Sequence, residues 1–566
     1  MAYVIHQQNC SGCHRCRVEC PAEAIRFKNA KYWIDPEKCV SCGHCAEVCH
    51  NEAISDPDAP KPAAVPHEPI QMECDVVVLG AGASGLSAAA QAAEAGRSVI
   101  VLEKGKEIGG SAWYAHVFRS HWSKWHEAAG MQDPRDDVYK EFMKQTHGSV
   151  NGKLVRRILD ADTEFIDWLI EKHDLGKDFT FGPQPFGGYG ITAAYDWEYN
   201  HKRIDTTIGP GGIGWWMANK LLGIVEANGG KVLYHTPAKE LQCDESGKVT
   251  AVVAEDEGGQ VIVRCKACVV STGAFTRNKA LMEKFQPKFY ADGDGDGVHV
   301  FTHPNCTGDG ITMCQAIGAD VDYDNRRVGM FGPMRHPFGT CSIAAAMGAA
   351  FDVDREGNYC DLPMVPGEVS PLADVPGRYV WGIADEKAVE AAIQRSMGRA
   401  PDVPGIDMDA LYKNWREELG TELSWETMYK ADTLDELAEE LHVPAENLHR
   451  AAQAHRESLK NQPEMGPGPD GRPMPPKQPL GEGPYYAIYK KMFHENALGG
   501  VVIDENTNVV RGGRPVPGLY ATGDGTRGVM MPGPVGVGYI EATISALTFA
   551  LTSGFVAGKE AAAFTA

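Results

Sequence analysis

Eight of the sixteen cysteines in this chain of 566 residues lie within its first 50 positions, in two runs of four. The members of the two runs are Cys10, Cys13, Cys16 and Cys20, and then Cys39, Cys42, Cys45 and Cys49. Each member of the second run lies 29 residues after its counterpart, and AEAI at Ala22–Ile25 returns as NEAI at Asn51–Ile54. A half-domain has therefore been duplicated. Thiolates bind iron–sulfur clusters, and this doubled set predicts two of them.

The spacing C-x2-C-x2-C-x3-C resembles that of bacterial ferredoxins, in which three close cysteines bind one [4Fe–4S] cluster and the fourth binds the other. One predicted ligand set is Cys10, Cys13, Cys16 and Cys49, and the other is Cys39, Cys42, Cys45 and Cys20. A pair of structural zinc sites is the alternative, which the doubled pattern disfavours. Pro21 follows the first run, whereas His50 follows the second, where proline is often found. We expect His50 to change a local turn rather than a ligand.

These residues predict a small α+β 2[4Fe–4S] ferredoxin domain over residues 1–55. Its clusters would carry single electrons, so we expect an external one-electron donor or acceptor such as a ferredoxin or flavodoxin. Such clusters also favour a reducing, cytoplasmic compartment. A proline-rich linker is predicted over residues 56–73.

A second chemical signature follows the linker. The apolar run Asp75–Leu79 predicts a buried strand, and Gly80, Gly82 and Gly85 complete G-x-G-x-x-G before an alanine-rich helical stretch. A second strand ends at Glu103, where a carboxylate can bind a ribose hydroxyl. Strand, glycine loop, helix and acid together predict dinucleotide binding, with the pyrophosphate at the helix N-terminus.

Two distant stretches favour FAD over NAD. One strand ends in Ser271-Thr272-Gly273, and another, near the end of the chain, runs into Gly523-Asp524-Gly525. A returning strand that brings an acid to the ribityl chain resembles FAD binding. No second strand–GxGxxG–helix unit is found in the sequence. We therefore expect no NAD(P)H domain, and electrons would come from an external partner.

Together these motifs resemble the fumarate reductase/succinate dehydrogenase flavoprotein superfamily, over roughly Cys74 to Gly558. The resemblance rests on VVVLGAGASGLSAA, VLEKGKEIGGSA, STGAF, TGDGITMCQAIGA and VPGLYATGDG. It implies an α/β FAD-binding Rossmann-like domain over residues 74–319 and 490–566, with an inserted α+β capping domain over residues 320–489. The FAD is expected to be non-covalent, because the histidine for covalent attachment is absent near GGSA.

The resemblance also implies a set of FAD contacts. These are Gly80, Gly82, Ala83, Ser84, Gly85, Glu103, Lys104, Gly110, Ser111, Ala238, Thr272, Gly273, Asp309, Gly523 and Asp524. A helix beginning near Pro534–Val537 would aim backbone N–H groups at the flavin pyrimidine, which adds Pro534, Val535 and Val537.

The departures from the family bear on substrate. ENALGG at Glu495–Gly500 has Asn496 where fumarate reductases carry histidine, and GVMMPGPVGVGYIEA at Gly528–Ala542 has no arginine. Carboxylates are recognised by paired, fork-like donors, so a dicarboxylate is disfavoured. Pro532–Pro534 resembles the ketosteroid dehydrogenase branch, with Met531 in place of its tyrosine. The candidate catalytic residues are His336, Arg335, Tyr195, His494, Arg527 and Met531.

The sequence thus predicts a flavin-dependent oxidoreductase acting on CH–CH groups of a small-molecule substrate. The leading interpretation is reduction of a carbonyl-activated C=C bond, in a cyclic or aromatic-type enone or enoate. The alternatives are desaturation of a cyclic ketone with export of electrons through the clusters, and an electron-transfer subunit without an organic substrate. A net charge of −22 argues against nucleic-acid binding. No secretory signal and no membrane span are expected.

Overall fold

The computed structural model describes most of the chain, with gaps that interrupt the candidate substrate region. The described residues are 2–10, 15–28, 31–59, 64–115, 118, 120–146, 148, 150–183, 189–193, 213–285, 299–300, 302–323, 330–333, 350–362, 372, 375–397, 416, 419–420, 423, 426, 428–461, 466–467, 473–474, 479–494, 499–529, 544 and 546–566.

The N-terminal part folds as two copies of one short unit. Its elements are β1 (Val4–Ile5), α1 (Arg15–Val18), β2 (Ile25–Lys28), β3 (Lys31–Ile34), α2 (His44–Glu47) and β4 (Ile54–Ser55). Strands β1 and β4 pair antiparallel, as do β2 and β3. Glu23 and Glu52, at equivalent positions of the repeat, both adopt a left-handed backbone with φ of 47° and 50°. The duplication seen in the sequence is therefore also present in the backbone.

A mixed sheet forms the centre of the molecule. Its first strand, β5 (Ile70–Leu79), begins inside the interval predicted as linker, because it pairs along its length with a long strand further along the chain. The side chains of Val76, Val77, Val78 and Leu79 are fully buried, as expected for a strand covered on both faces. Next come α3 (Ala83–Glu94) and β6 (Val99–Leu102), which confirm the predicted strand–helix–strand unit.

The following elements come next along the chain. They are α4 (Lys124–Ala128), α5 (Arg135–Gln145), α6 (Gly152–His173), β7 (Phe179–Pro183), β8 (Tyr189–Ala193), α7 (Ile213–Ala227), β9 (Lys231–Leu233), β10 (Ala238–Cys243), β11 (Val249–Glu255), β12 (Gln260–Val270), α8 (Lys279–Phe285), β13 (His299–Val300), α9 (Asp309–Ala316) and β14 (Val321–Asp322).

A second sheet lies mostly within the interval predicted as the capping domain. Its elements and neighbours are β15 (Met330–Pro333), β16 (Phe351–Val353), β17 (Tyr359–Cys360), β18 (Tyr379–Asp385), α10 (Glu386–Met397), β19 (Met428–Ala431), α11 (Leu434–Leu441), α12 (Ala445–Ser458), β20 (Gly466–Pro467), β21 (Pro473–Met474) and β22 (Tyr485–His494). Strand β22 pairs with β13, β15, β18 and β19. Helix α11 begins in a capping box formed by Thr433 and Glu436.

The chain then returns to the first sheet. The last elements are β23 (Gly500–Val502), β24 (Asn508–Arg511), β25 (Arg514–Ala521), β26 (Thr526–Arg527) and α13 (Ala546–Phe564). Strand β12 pairs in parallel with β5 on one side and with β25 on the other, and β5 pairs in parallel with β6. Both ends of the flavoprotein part of the chain therefore meet in one sheet.

Helix α13 packs against α3 at very short range. A Cβ built on Gly554 would lie 2.1 Å from the Ser84 carbonyl oxygen, so only glycine fits at this crossing. The Ser87 hydroxyl donates to the Leu551 carbonyl at 2.8 Å across the same interface. Among the helices of the described part of the chain, none is long and apolar enough to cross a membrane.

Replacing Gly554 by alanine should destabilise the protein, because the new methyl group collides with the backbone of α3. We expect a loss of about 1–3 kcal/mol in the free energy of unfolding. Gly223→Ala is the matched control, since Gly223 lies on helix α7, is exposed, and has no atom within 4 Å of a built Cβ. That change should be neutral or stabilising by about 0.5–1 kcal/mol. Denaturant unfolding of both variants measures this, and equal effects would contradict the close packing.

Candidate functional site

The glycine loop lies at the carboxyl end of β5. Gly80 has φ of 100°, and a Cβ built on it would lie 2.6 Å from the Ser271 carbonyl oxygen. A Cβ on Gly85 would lie 2.0 Å from the Gly80 carbonyl oxygen. Both glycines are therefore required for the close approach of loop, helix and β12. This is the packing that a dinucleotide-binding turn needs.

The mouth of this loop offers room for a phosphate group. Helix α3 begins at Ala83, and the N–H groups of its first turn cannot bond within the helix. They carry partial positive charge and face the loop. On the open side of Gly82, the nearest atom to a built Cβ is the Gly109 carbonyl oxygen at 3.9 Å. This bare cradle fits a pyrophosphate, which is the group that FAD would place there.

Glu103 follows strand β6, beside the loop. Its carboxylate accepts hydrogen bonds from the N–H groups of Ala81 at 2.7 Å and Gly105 at 2.6 Å. The side chain is 8% exposed, and this burial raises the pKa of Glu103. Two backbone donors thus fix the carboxylate at the end of the second strand, where a ribose hydroxyl is expected.

Lys104 and Asp309, both predicted from the resemblance, are brought together. The Lys104 ammonium donates to the Asp309 carboxylate at 2.9 Å and to the Thr307 hydroxyl at 2.7 Å. Asp309 is the first residue of α9, so its negative charge also interacts favourably with the partial positive charge at the helix N-terminus. The sequence separates these two side chains by about 200 positions, and the fold makes them one polar cluster.

Ser111, Thr272 and Gly273 form a third part of the cradle. Thr272 accepts a hydrogen bond from the Gly310 N–H at 3.0 Å, and Ser111 accepts one from the His303 N–H at 3.1 Å. The Cys306 sulfur lies 3.2 Å from the Ser111 hydroxyl. Gly110 directly precedes Ser111 and has φ of 51°.

Cys306 and His303 were not among the predicted site residues. Both are buried, at 7% exposure. Burial raises the pKa of Cys306 to about 11, and the charge of nearby Asp524 adds to the effect. The signal that could have identified them is their position directly before the TGDG motif at Thr307–Gly310.

The loop after β25, near the end of the chain, also lies beside the N-terminus of α3. Gly523 follows β25, its N–H donates to the Ser553 hydroxyl at 3.2 Å, and a Cβ built on it would lie 2.8 Å from the Ser84 hydroxyl. Asp524 is half-buried beside it. Gly523 and Ser84, 439 positions apart in the sequence, are thus neighbours at the helix N-terminus.

Ala238 is the first residue of β10 and is half-buried. It pairs with Ala254 across the ladder. The turn that leads to it is tied to the nucleotide site, because the Thr236 N–H donates to the Glu103 carbonyl at 2.8 Å. Every predicted FAD contact up to Asp524 therefore belongs to, or adjoins, one group of loops.

The predicted catalytic residues are only partly described. His494 is the last residue of β22, where it pairs with Val300. Arg527 lies on β26 and donates to the Asp322 carboxylate at 2.7 Å, so this guanidinium is oriented by an acid. The predicted residues outside the described part are Tyr195, Arg335, His336, Met531, Pro534, Val535 and Val537, together with the cluster ligand Cys13.

One predicted cluster site is visible as a cavity in the N-terminal part. Its lining includes all four thiols of one predicted set, Cys20, Cys39, Cys42 and Cys45. Burial raises the pKa of Cys45 to about 11, and the other three thiols of the set are close enough to act on it. Among the described residues, no three His, Cys, Asp or Glu side chains are gathered tightly enough to hold a single metal ion. The four thiols surround a space, as an iron–sulfur cluster requires.

The fourth-position cysteines of both runs are held alike. The Cys20 sulfur accepts a hydrogen bond from the Ala24 N–H at 3.4 Å, and the Cys49 sulfur accepts one from the Ala53 N–H at 3.3 Å. Hydrogen bonds to the sulfur atoms tune the potential of a bound cluster. Cys10, Cys16 and Cys49, the described members of the other predicted set, pack against one apolar cluster.

Two protein families match the sequence. The FAD binding domain family matches residues 75–533, and the 4Fe–4S dicluster domain family matches residues 9–54. These intervals coincide with the flavoprotein part and the cysteine repeat described above.

Curated relatives cover most of the chain at low identity. An NADH:fumarate oxidoreductase of Klebsiella pneumoniae is 25% identical over 86% of this chain, which spans 48% of that relative. A vinyl phenol reductase of Lactiplantibacillus plantarum is 24% identical over 87% of this chain and 97% of its own length. A 4-oxocyclohex-2-ene-1-carboxylate 5-dehydrogenase of Sinomonas cyclohexanicum is 26% identical over 86% of this chain and 94% of its own length.

Solved structures share the fold. The open conformation of a flavocytochrome c3 fumarate reductase matches with a TM-score of 0.65 at 20% identity, over 87% of this chain and 79% of that one. A 3-ketosteroid dehydrogenase of Rhodococcus jostii RHA1 matches with a TM-score of 0.56 at 21% identity, over 88% of this chain and all of that one. The glycine loop, the returning strand and the family match lead to one conclusion: the chain belongs to the FAD binding domain family of fumarate reductase/succinate dehydrogenase flavoproteins, with a 4Fe–4S dicluster domain at its N-terminus.

Proposed function

We propose that this protein reduces a carbonyl-activated C=C bond, using FAD and electrons delivered through two [4Fe–4S] clusters. The observation that carries the proposal is the union, in one chain, of a dicluster domain at residues 9–54 and a CH–CH-type flavoprotein fold at residues 75–533. The net reaction adds two electrons and two protons to the alkene. A low-potential one-electron donor, such as a ferredoxin or flavodoxin, supplies the electrons.

The described residues account for how FAD is held. Gly80, Gly82 and the first turn of α3 would receive the pyrophosphate, and Glu103 would receive a ribose hydroxyl. Ser111, Thr272 and Asp524 would contact the ribityl chain and the flavin. Bound FAD supplies hydride transfer to the β-carbon of the alkene.

The remaining chemistry falls to side chains of the protein. A donor must hold the substrate carbonyl while negative charge develops on its oxygen, and an acid must protonate the α-carbon. His336, Arg335, Tyr195, His494, Arg527 and Met531 remain the candidates for contact with substrate. Arg527 is suited to hold a carbonyl oxygen, because the contact with Asp322 orients its guanidinium.

A neutral or singly charged substrate is favoured over fumarate. The sequence between Gly528 and Ala542 has no arginine, and Asn496 stands where fumarate reductases carry histidine. A dicarboxylate would therefore lack the paired donors that its two charges require. An enone or enoate, cyclic or aromatic in type, has one polar end and fits such a site better.

Desaturation of a cyclic ketone is the second candidate. It is favoured by the 26% identical relative named as a 4-oxocyclohex-2-ene-1-carboxylate dehydrogenase, which matches over 86% of this chain. In this direction two electrons would leave through the clusters to an external acceptor.

The proposal is tested with anaerobically reconstituted protein and reduced methyl viologen. Oxidation of the viologen is followed on addition of a cyclic enone, an aromatic enoate, acrylate or fumarate. We expect turnover with an enone or enoate and at least tenfold less with fumarate, a difference of about 1.4 kcal/mol in transition-state binding. Turnover of fumarate alone, or of no compound by protein with full FAD and iron, would overturn it.

Replacing Glu103 by glutamine should weaken FAD binding. In the wild type, each carboxylate oxygen accepts a hydrogen bond from a backbone N–H group. The amide would replace one of these oxygens by an NH2 group, which cannot accept. We expect a cost of about 1.5–3 kcal/mol, or roughly a 10- to 100-fold increase in the FAD dissociation constant. Titration of the apoprotein by flavin fluorescence measures this. Glu73→Gln, at an exposed position on the same sheet, is the matched control and should bind FAD normally. Equal affinities for the two variants would refute the role of Glu103.

A further inference from the structure

We propose that the cluster predicted at Cys10, Cys13, Cys16 and Cys49 is the one that exchanges electrons with FAD. The stack of His50 on Trp113 holds this cluster beside the FAD-binding part of the chain. This rests on the proposed function for the presence of both cofactors and for the direction of electron flow. The other cluster is then the one that meets the external donor.

The contact follows directly from a cluster ligand. His50 is the neighbour of Cys49, and its ring stacks on Trp113 with centroids 4.2 Å apart and planes 9° apart. Both rings are 4% exposed. The Trp113 indole N–H donates to the Ile108 carbonyl at 3.2 Å. Trp113 is thereby anchored to the Gly109–Ser111 loop, which lines the FAD cradle.

A second link uses the backbone at the same position. The His303 Nε2 atom lies 3.3 Å from the His50 carbonyl oxygen. The other ring nitrogen, Nδ1, accepts from the Asn305 N–H at 3.2 Å, so Nε2 carries the proton and donates to His50. The His303 N–H in turn donates to Ser111. The residue after Cys49 is therefore two hydrogen bonds from a predicted FAD contact.

Two more ligands of this set adjoin residues held by the flavoprotein part. Arg15, next to Cys16, places its guanidinium 5.6 Å from the centre of the Trp113 ring. The Gln8 carbonyl, two residues before Cys10, accepts from the Arg277 guanidinium at 3.0 Å. Three described ligands of one cluster are thus flanked by contacts to the FAD-binding part.

The other ligand set lies beside more exposed residues. Cys42 is exposed, and Val40, between Cys39 and Cys42, is 67% exposed. Pro21, the repeat counterpart of His50, is also exposed. The duplicated unit is therefore used asymmetrically: one fourth-position cysteine is followed by an exposed proline, and the other by a buried histidine that docks on the flavoprotein.

The direction of electron transfer is taken from the proposed reduction, and the cluster predicted at Cys10, Cys13, Cys16 and Cys49 is called the inner cluster. Each event oxidises this inner cluster by one electron and reduces FAD by one electron, and the external donor re-reduces the inner cluster through the outer one. Two events, with protons taken from water, give the two-electron-reduced flavin. Because tunnelling weakens steeply with distance, a loosened contact slows the step without changing either cofactor.

The test compares His50→Ala with Pro21→Ala in the full, reconstituted chain. Reduced methyl viologen is mixed with oxidised protein, and bleaching of the flavin absorbance is followed by stopped flow. We expect His50→Ala to slow bleaching by on the order of tenfold or more, as a small misplacement of reacting groups commonly does. Pro21→Ala should bleach at the wild-type rate. Iron, sulfide and FAD contents should equal those of the wild type.

A readout independent of electron transfer accompanies it. Hydrogen exchange of the Gly109–Ala115 backbone should rise in His50→Ala and stay unchanged in Pro21→Ala. His50→Phe keeps a stacking ring and should restore both rate and protection. If His50→Ala loses its clusters, His50→Pro, which carries the residue of the first repeat, takes its place.

Two outcomes would overturn the proposal. One is bleaching of the flavin at the wild-type rate in His50→Ala or His50→Pro, which lack an aromatic ring. The other is a larger loss of bleaching rate in Pro21→Ala than in these variants. No organic substrate is present in these measurements. The result is therefore separate from the enone assay, and either proposal can fail while the other stands.

Discussion

The parallel register of β5, β12 and β25 is the constraint on which the site depends. Leu79 is level with Val270, and Val270 is level with Ala521. The loops after these strands contain Gly80, Thr272 and Gly523, so all three leave the same edge of the sheet. Ligands of open α/β sheets bind outside the carboxyl ends of the strands. A nucleotide site assembled from distant parts of the sequence follows from hydrogen-bond register alone.

The close packing of α13 on α3 reinforces that register. The crossing at Gly554 holds the N-terminus of α3 beside Gly523 and Ser553, so the phosphate end of the cradle is built from both ends of the flavoprotein part. Without this approach the first turn of α3 would lie further from the loop after β25. The packing of the backbone thus determines the shape of the site, and polar contacts such as that between Lys104 and Asp309 determine its charge distribution.

Much of this could be predicted from the sequence, and the reasons are physical. Cysteine spacing is constrained by cluster geometry, and Gly80 and Gly85 by backbone approach, so both leave local signatures. Glu103 and Gly523 were identifiable because each follows a recognisable buried strand. The stack of His50 on Trp113 was not, since neither residue signals a partner 63 positions away, and proline was the expected residue. Cys306 and His303 likewise take their roles from tertiary contacts. Strand β5 begins at Ile70 because it pairs with β12. This pairing between distant parts of the chain cannot be predicted from local composition.

The N-terminal module also contacts the second sheet. Tyr489, on β22, is fully buried in the same apolar cluster as Ile5, Ile25, Tyr32 and Ile54. Strand β22 pairs with β18 along seven residues and ends at His494. A few residues later β23 begins, and it pairs with β26 so that Val502 lies level with Arg527. One strand thus runs from the electron-carrying module toward two candidate substrate residues. We infer that displacing the N-terminal module would also disturb β22, because this strand carries both Tyr489 of the shared apolar cluster and the candidate residue His494.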